Sequence, residues 1–587
     1  MQLLHAPCSE QVADFLQDLL AKGSSFEVTN EQLRQQTGVI DFFLGVDDWQ
    51  TVRHELADQL PLVEEHNAVE YGDFQTGESL AKRLCAIIAE DDFHPTILLE
   101  PTCGQGNFLL AALRQFPDVK AIYGVEIYKP YLYQCKFQLL DYFLKNPTSK
   151  LPAIYLLHQS VFDADFGQLV DRTSADKLLI VGNPPWVTNA GLGVLSSQNL
   201  PEKTNFKKLN GLDALTGKSN FDIAEFITLQ LLRVFQHQPG KLALLVKNTV
   251  IKNIVAGQPM AEFAITNLKK RLIDAKKEFG VAADAALFVA TLAAPYPAQV
   301  CAEIPLPDRD KNQHSFGWLN NKFVSNLDMY QASAAIDGRC QYEWRQGLKH
   351  DCSAVMELTA NADRYASGVT PDVDLESDLV YALYKSSDLR QPIAGPARRF
   401  TIVTQKRIGQ DTAYIKDQFP MTHSYLKKQE TLFANRKSSI YQGKPPYSIF
   451  GIGDYSFKLY KVAISALYKE PVFSLVLPVN NKPAMLDDTC YFLGFDGLPE
   501  ALITMLLLNH PLTYQLLQAI TFADAKRVFT KDVLMRLDLG VVKEKLTFDQ
   551  ITRHIPGCFS DSLSSADWSK YLNVQIQPIR QTQLTLF

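Results

Sequence analysis

The sequence predicts an α/β protein built on a doubly wound, Rossmann-like parallel sheet, with a small helical segment before it and a mixed α+β domain after it. Three observations carry that expectation. Between about residues 66 and 295, short apolar strands alternate with helices, the pattern of a parallel sheet covered on both faces. The order strand, glycine loop, helix, strand, acidic residue occurs once, early in that region, as nucleotide-type cofactor sites require. Finally, Asn183-Pro184-Pro185-Trp186 follows directly on the apolar run Leu178-Leu179-Ile180-Val181-Gly182. That places it beyond the carboxyl end of a buried strand, where open α/β sheets bind their ligands.

In chain order, residues 1–65 read as helical and acidic, with periodic apolar positions at Val12, Phe15, Leu16, Leu19 and Leu20 and no chemical motif. Residues 66–300 hold the sheet. Its strands are expected at Ile97–Leu99, Ala121–Val125, Ala153–Leu157, Leu178–Val181 and Leu242–Val246, with helices such as Asn107–Phe116 and Asp222–Phe235 between or after them. A proline-rich stretch near Pro295–Asp310 marks a boundary and opens a linker over 301–340. Residues 341–587 carry many aromatics, lysines and turn signals without a second cofactor loop.

A chain of 587 residues exceeds one compact core, and 46% hydrophobic with 21% charged residues describes an ordinary globular protein. No apolar run of membrane-spanning length and no basic-then-apolar N-terminus is present, so neither a membrane span nor a signal peptide is expected. The nine cysteines are scattered singly, as reduced cytosolic thiols are, and no metal site is expected. Net charge is −6, unevenly spread: residues 1–100 hold 19 Asp/Glu against 5 Lys/Arg, and residues 398–469 hold 13 Lys/Arg against 4 Asp/Glu. Such asymmetry points the basic part towards a polyanion, or else to a solvated face.

The tetrapeptide is stiff, because each proline fixes φ and Asn183, preceding a proline, is pushed towards an extended conformation. The Asn183 amide oxygen and the Pro184 carbonyl can then aim at one point beside an aromatic face, which suits a planar substrate carrying an NH2 group. The bland alternative is a strand terminator with a core tryptophan. In Glu100-Pro101-Thr102-Cys103-Gly104-Gln105-Gly106-Asn107-Phe108, glycines 104 and 106 let backbone approach a ligand, and the helix that follows offers free N–H groups. Cys103 fits there by small size rather than reactivity. Glu126 lies 20 residues beyond Gly106, placed to accept hydrogen bonds from a ribose diol. Position 109 is Leu, so a dinucleotide fingerprint is incomplete, which favours S-adenosylmethionine over NAD.

The ordered set resembles the adenine-N6 DNA methyltransferases in which the cofactor motif precedes the catalytic one and the recognition domain comes last. Tyr71-Gly72-Asp73-Phe74-Gln75-Thr76 resembles the family's upstream segment, whose threonine contacts the methionine part of the cofactor. The stretch from Glu100 to Phe108 (with Pro101, Cys103, Gly104 and Gly106) resembles the cofactor loop, and Glu126 the ribose-binding acid. Asn183 to Trp186 resembles the catalytic tetrapeptide, and Phe279 the aromatic that packs against an extruded base. Three positions depart from the pattern: Gly77 replaces a common proline, Ser160 replaces an aspartate at the cofactor adenine (with Asp163 able to substitute), and Trp186 replaces Tyr or Phe.

The resemblance implies transfer of methyl from S-adenosylmethionine to N6 of an adenine flipped out of double-stranded DNA. It also implies a bacterial cytoplasmic setting. The N-terminal 65 residues are too short for a fused nuclease and show no Asp…Glu-x-Lys pattern, so any restriction or defence nuclease is expected on another polypeptide. In the C-terminal part, Trp344 to Asp351, Arg436 to Tyr441, Gly451 to Phe457 and Asp487-Asp488-Thr489 resemble the recognition domain of larger members. Arg436, Lys437, Ser438 and Ser439 are phosphate-binding types, and Arg345 and Lys349 suit guanine edges. Two rival readings stand beside this one: a methyltransferase of the same motif class acting on RNA or protein glutamine, and a DNA-specificity component whose catalytic domain is retired.

Overall fold

The computed structural model of the protein describes residues 9–21, 25–58, 75–147, 150–169, 176–187, 222–280, 284–305, 313–361 and 364–573. The chain divides into two compact units, Met1–Phe323 and Val324–Phe587. Among the described residues no helix is long and apolar enough to cross a membrane.

The first unit is organised by an eleven-stranded sheet. Its strands are β1 (Val39–Ile40), β2 (Ile97–Glu100), β3 (Ala121–Glu126), β4 (Ala153–His158), β5 (Leu178–Gly182), β6 (Gly240–Lys247), β7 (Thr266–Ile273), β8 (Ala285–Thr291), β9 (Val300–Ile304), β10 (His314–Leu319) and β11 (Lys322–Val324). They lie in the order β1-β4-β3-β2-β5-β6-β8-β7-β9-β10-β11. The first six in that order run parallel, and β8 is antiparallel between β6 and β7. The strands expected from sequence all form, each within two residues of its expected ends. Strands β2 and β5 are buried along their whole length, which is why they read as unbroken apolar runs. After β2 the chain steps out to β3 and β4, then returns to place β5 on the other side of β2. The switch point therefore lies between the carboxyl ends of β2 and β5, at Glu100 and Gly182.

The acidic N-terminal segment is helical in α1 (Glu10–Ala21), α2 (Phe26–Thr37) and α3 (Val46–Asp58), but it also lends the sheet a strand. Strand β1 pairs in parallel with β4 through Val39↔Ile154 and Ile40↔Tyr155. The turn after it is tied down from below: Lys136 Nζ donates to the Asp41 and Phe42 carbonyls at 3.0 and 2.6 Å, and the Tyr133 hydroxyl donates to Asp48 at 2.8 Å. Burial pushes the Lys136 ammonium down to about 7.

The proline-rich stretch does not end the sheet. Strands β10, β11 and all of β9 but its first residue fall within the residues expected as a linker, and β9 adds to the open edge of β7 through Leu268↔Cys301 to Arg271↔Ile304. An unpaired strand edge is a row of unsatisfied backbone groups, and this hairpin covers it. Strand β7 hides from sequence because Lys269, Lys270 and Arg271 interrupt it. Each finds a carboxylate: Asp91 at 3.0 Å, Glu303 at 2.7 Å and Glu90 at 2.9 Å.

The second unit is mixed α+β. A four-stranded sheet and a five-stranded sheet are followed by helices such as Leu498–Leu508, which is buried from Ala501 onwards.

Candidate active site

Helices α4 (Glu78–Ala89), α5 (Asn107–Gln115) and α6 (Lys129–Lys145) frame the loop that leaves β2. The loop needs its glycines for two reasons. Gly104 and Gly106 take positive φ, +51° and +85°, and a side chain at Gly106 has no room while one at Gly104 would have to displace the movable end of Gln75. A Cβ on Gly104 would lie 2.6 Å from the Gln75 side-chain oxygen, and one on Gly106 would lie 2.4 Å from Cys135 Sγ. Gly106→Ala is therefore expected to lower stability by about 1–3 kcal/mol through strain and overlap. Adding Cys135→Ala should restore part of that loss in thermal melts, because it removes the sulfur but leaves the strained φ. A full-strength Gly106→Ala protein would contradict the steric account.

The loop is fastened at four points. Cys103 N–H donates to the Val125 carbonyl at 2.9 Å, and the buried thiol, hydrogen-bonded to Cys135, is held well above the ordinary thiol range. Gly104 N–H donates to Glu126 Oε2 at 2.8 Å, while Tyr128 N–H donates to Glu126 Oε1 at 2.7 Å. Asn107 Nδ2 donates to the Thr76 carbonyl at 2.8 Å. Each Glu126 oxygen thus takes one backbone N–H, which fixes the carboxylate at the mouth of the loop. Ser160 and Asp163 lie in the turn after β4, whose end adjoins Glu126: Gln159 N–H donates to the Glu126 carbonyl at 3.1 Å, and Phe162 N–H donates to Ser160 Oγ at 3.2 Å. Asp163 is exposed.

Glu100 ends β2 with its side chain buried, and its Oε2 has no hydrogen-bond partner among the described residues. Desolvation, with the neighbouring Cys135 and Glu126, raises its carboxyl well above the carboxylate range. A buried orphan carboxylate oxygen at a sheet switch point fits a ligand that brings positive charge. Together with the glycine cradle and Glu126, it matches a cofactor carrying an ammonium, a sulfonium and a ribose diol.

Asn183 to Trp186 sits opposite. Asn183 Nδ2 donates to Thr76 Oγ1 at 3.2 Å, which fixes the amide with its oxygen on the other side, and Thr102 Oγ1 donates to the Asn183 carbonyl at 3.4 Å. Thr76 therefore joins the upstream segment to both motifs. Residues 71–74 of that segment lie outside the described residues. Trp186 meets Phe279, which ends α10 (Ala275–Phe279; helix numbers follow α7 Phe166–Leu169, α8 Ile223–Phe235 and α9 Asn248–Ala261), edge to face at 5.1 Å and 71°. The indole is only 5% exposed, and its Nε1 donates to the Leu245 carbonyl at 3.1 Å.

Sequence reasoning missed the strut behind this loop. Lys247, at the end of β6, donates at 2.7 Å to both the Trp186 carbonyl and Asp222 Oδ2, and Asp222 caps α8 through Ala224 N–H at 3.0 Å. The available signal was a lysine closing an apolar strand at the same sheet end as Asn183.

Of the expected nucleic-acid residues, Lys349 and Arg436 come together, because Arg436 donates to the carbonyl of His350, the residue after Lys349, at 3.3 Å. Arg345 lies 4.9 Å over the Tyr455 ring and pairs with Glu343, and Lys349 pairs with Asp351 at 3.5 Å. Arg436 spends its guanidinium on the protein itself, donating to the carbonyls of Phe433, His350 and Ser448 while stacked 3.7 Å over Tyr441. Those three carbonyls occupy its guanidinium in the folded chain. Lys437 and Ser439 are exposed and Ser438 is half-buried.

No family model matches the sequence. The chain is 36% identical over 479 residues to the Type II methyltransferase M.NspV of Nostoc sp., an alignment covering 81% of this chain and 98% of that protein. Among solved structures it resembles the Type IIL restriction-modification enzyme MmeI in complex with DNA, with TM-score 0.49, 10% identity, and 86% of this chain and 71% of MmeI covered. It also resembles a type I restriction-modification methyltransferase subunit from Streptococcus thermophilus, with TM-score 0.30, 19% identity, and 52% and 69% covered.

Proposed function

The chain belongs to the Type II methyltransferases, and from that premise we propose that it methylates N6 of adenine in duplex DNA at a specific sequence. S-adenosylmethionine is the expected cofactor, and when bound it supplies an electrophilic methyl group. The observation that carries the reading is the fixed Asn183: its side-chain amide is pinned by Thr76 at 3.2 Å, and its backbone carbonyl is tied through Thr102 to the glycine loop.

The chain's own residues then divide the work. Glu126, oriented by its two backbone contacts, takes the ribose hydroxyls. Gly104 and Gly106 let the loop close on the ligand. Asn183 Oδ1 and the Pro184 carbonyl accept the two hydrogens of the target amine. That biases the nitrogen from planar towards tetrahedral and turns its lone pair outward, towards where a sulfonium would present its methyl; transfer would break the donor's S–C bond as the N–C bond forms, and the excess proton on nitrogen would pass to water. Positioning and electrostatics do this without a covalent intermediate on the enzyme. An adenine can reach such a pocket only by leaving the stack, at a cost of a few kcal/mol. Trp186 and Phe279 offer aromatic surface that returns roughly 1–3 kcal/mol per stacked face.

Trp186 also has a structural share, because its N–H is bound to Leu245. Trp186→Ala is expected to weaken DNA binding about 10- to 100-fold by lost stacking and to lower the melting temperature as well. Trp186→Phe should keep most of the DNA affinity, measured by fluorescence anisotropy, while still losing stability. Equal DNA affinity in Trp186→Ala would remove the ring from the base pocket.

The function itself is tested by expressing the chain in a host without adenine methylation and sequencing its DNA for N6-methyladenine. Modification confined to one sequence context is the expected result. Labelled methyl found only on RNA or protein, or cofactor binding without transfer to anything, would overturn the reading.

A further inference from the structure

The second unit carries a concentrated positive segment: residues 398–444 hold ten Lys/Arg against three Asp/Glu in a chain of net charge −6. Some of these cations are used internally. Arg398 and Arg399 both bind Asp388, and Arg436 binds carbonyls. Lys406 and Arg407 make no ion pair among the described residues, and both are exposed.

They sit on a turn built with unusual care. Thr404 and Gln405, at its base, are fully buried. Thr404 Oγ1 donates to the Tyr447 carbonyl at 2.7 Å, and Gln405 Oε1 accepts Ile449 N–H at 2.9 Å. Gln405 Nε2 donates across the turn to the Gln410 carbonyl. Gln410 Oε1 accepts Lys406 N–H at 2.7 Å, and Gln410 N–H donates to the Arg407 carbonyl at 3.2 Å. Gly409 supplies the reversal with φ +77°, and an added Cβ there would meet nothing within 4 Å. Between the cations and that glycine stands Ile408, 53% exposed. Two buried or bridging glutamine side chains thus hold a rigid loop whose tip presents two cations and one aliphatic group to the outside.

A merely solvated turn has no need of this internal frame. A preformed contact element does, because ordering done in advance is not charged against binding. We propose that the turn Gln405–Gln410 is a finger for duplex DNA, with Lys406 and Arg407 neutralising backbone phosphates and Ile408 making an apolar contact in the groove beside them. The proposal rests on the DNA reading above. Arginine and lysine on phosphate position a protein without reading sequence, and an aliphatic group suits the thymine methyl.

The test uses the full chain with a labelled duplex of arbitrary sequence, followed by anisotropy between about 50 and 200 mM salt. Each phosphate contact adds about 0.9 to the slope of log affinity against log salt. The double variant Lys406→Gln, Arg407→Gln is expected to lose about two from that slope. The fourfold rise in salt then costs it about tenfold less affinity than it costs the unaltered protein. Its melting temperature should not move, since the substituted side chains are exposed. Ile408→Ser should weaken binding at every salt concentration and leave the slope unchanged. A control that removes two exposed cations elsewhere in the unit, Lys545→Gln with Lys570→Gln, should keep the original slope.

An unchanged slope in the Lys406/Arg407 variant overturns the finger, and so does an equal loss in the control, which would reduce the effect to net charge. If the unaltered protein binds cofactor but not duplex at any salt, the DNA reading falls and the finger falls with it. If it binds duplex and only the finger variants behave like the original, the DNA reading stands alone.

Discussion

Asn183→Ala should lower methyl transfer by at least a hundred- to thousandfold, the range seen when one preorganised polar group is removed from a reaction centre. The substitution deletes the side-chain acceptor and leaves the Pro184 carbonyl to hold the target amine alone. The backbone should stay in place, because Pro184 and Pro185 fix their own φ and Thr102 Oγ1 reaches the carbonyl of residue 183, which survives the change. Cofactor affinity, measured by calorimetry, should therefore change only slightly while labelled-methyl turnover collapses. Thr76→Val makes a graded companion. It removes the hydroxyl that receives Asn183 Nδ2, so the amide keeps its oxygen but loses its fixed orientation, and an intermediate rate is expected. Near-normal turnover in Asn183→Ala would falsify the catalytic assignment. A loss of cofactor binding as large as the loss of rate would make Asn183 a scaffold residue instead.

The parts of this site legible in the sequence are those that local chemistry dictates. A parallel strand buried on both faces must be apolar throughout, so β2, β3, β5 and β6 announce themselves. The loop after β2 must contain glycine where φ is positive, and an acid ending the next strand must face that loop. These constraints act within about 30 residues, and periodicity and spacing capture them. What stayed hidden depends on partners far along the chain. Lys247 reads as a solvated end of β6, yet its ammonium holds a carbonyl 61 residues away. Gln75 is an ordinary loop residue until its side chain is seen to fill the space Gly104 leaves open.

Charge misleads in the same way. Lys269, Lys270 and Arg271 argue against a strand by composition, and β7 forms because Asp91, Glu303 and Glu90 arrive from three other segments. Arg436 has the right fork of donors for phosphate, and the same fork satisfies carbonyls of its own unit. Residue type states what a group can bind. Only the fold states what has already claimed it.

Glu100 inverts that lesson, since the fold has claimed only part of it. Leu109 N–H donates to the carboxylate, while Oε2 is buried with no partner among the described residues. An ionised group in that position costs stability, and its proton is held well above the ordinary value of 4.5. The consequence for pH has a definite sign. From about 4.5 upward the unfolded chain has released this proton and the folded protein keeps it. Stability contributed by the protonated form is therefore present below 4.5 and is lost as pH rises towards the raised folded value.

Glu100→Gln keeps the shape and removes the ionisation. The variant free of cofactor should melt higher than the unaltered protein, by an amount that grows as pH rises above 4.5, with a rise of a few degrees for each ~1–2 kcal/mol relieved. Cofactor affinity should move the other way, because the proposed carboxylate partner for a cationic ligand is gone. A loss of roughly 10- to 100-fold corresponds to one charge-assisted hydrogen bond, about 1.5–3 kcal/mol. Thermal melts across pH and calorimetry with S-adenosylmethionine read the two effects separately. A variant whose melting temperature tracks the original at every pH would show that Glu100 carries no such strain. One that is stabilised yet binds cofactor equally well would show that the strain serves some other purpose. Gain in one measurement with loss in the other is what a binding site held in a destabilised state must give, because the carboxyl whose burial costs the free protein stability is the group that its ligand uses.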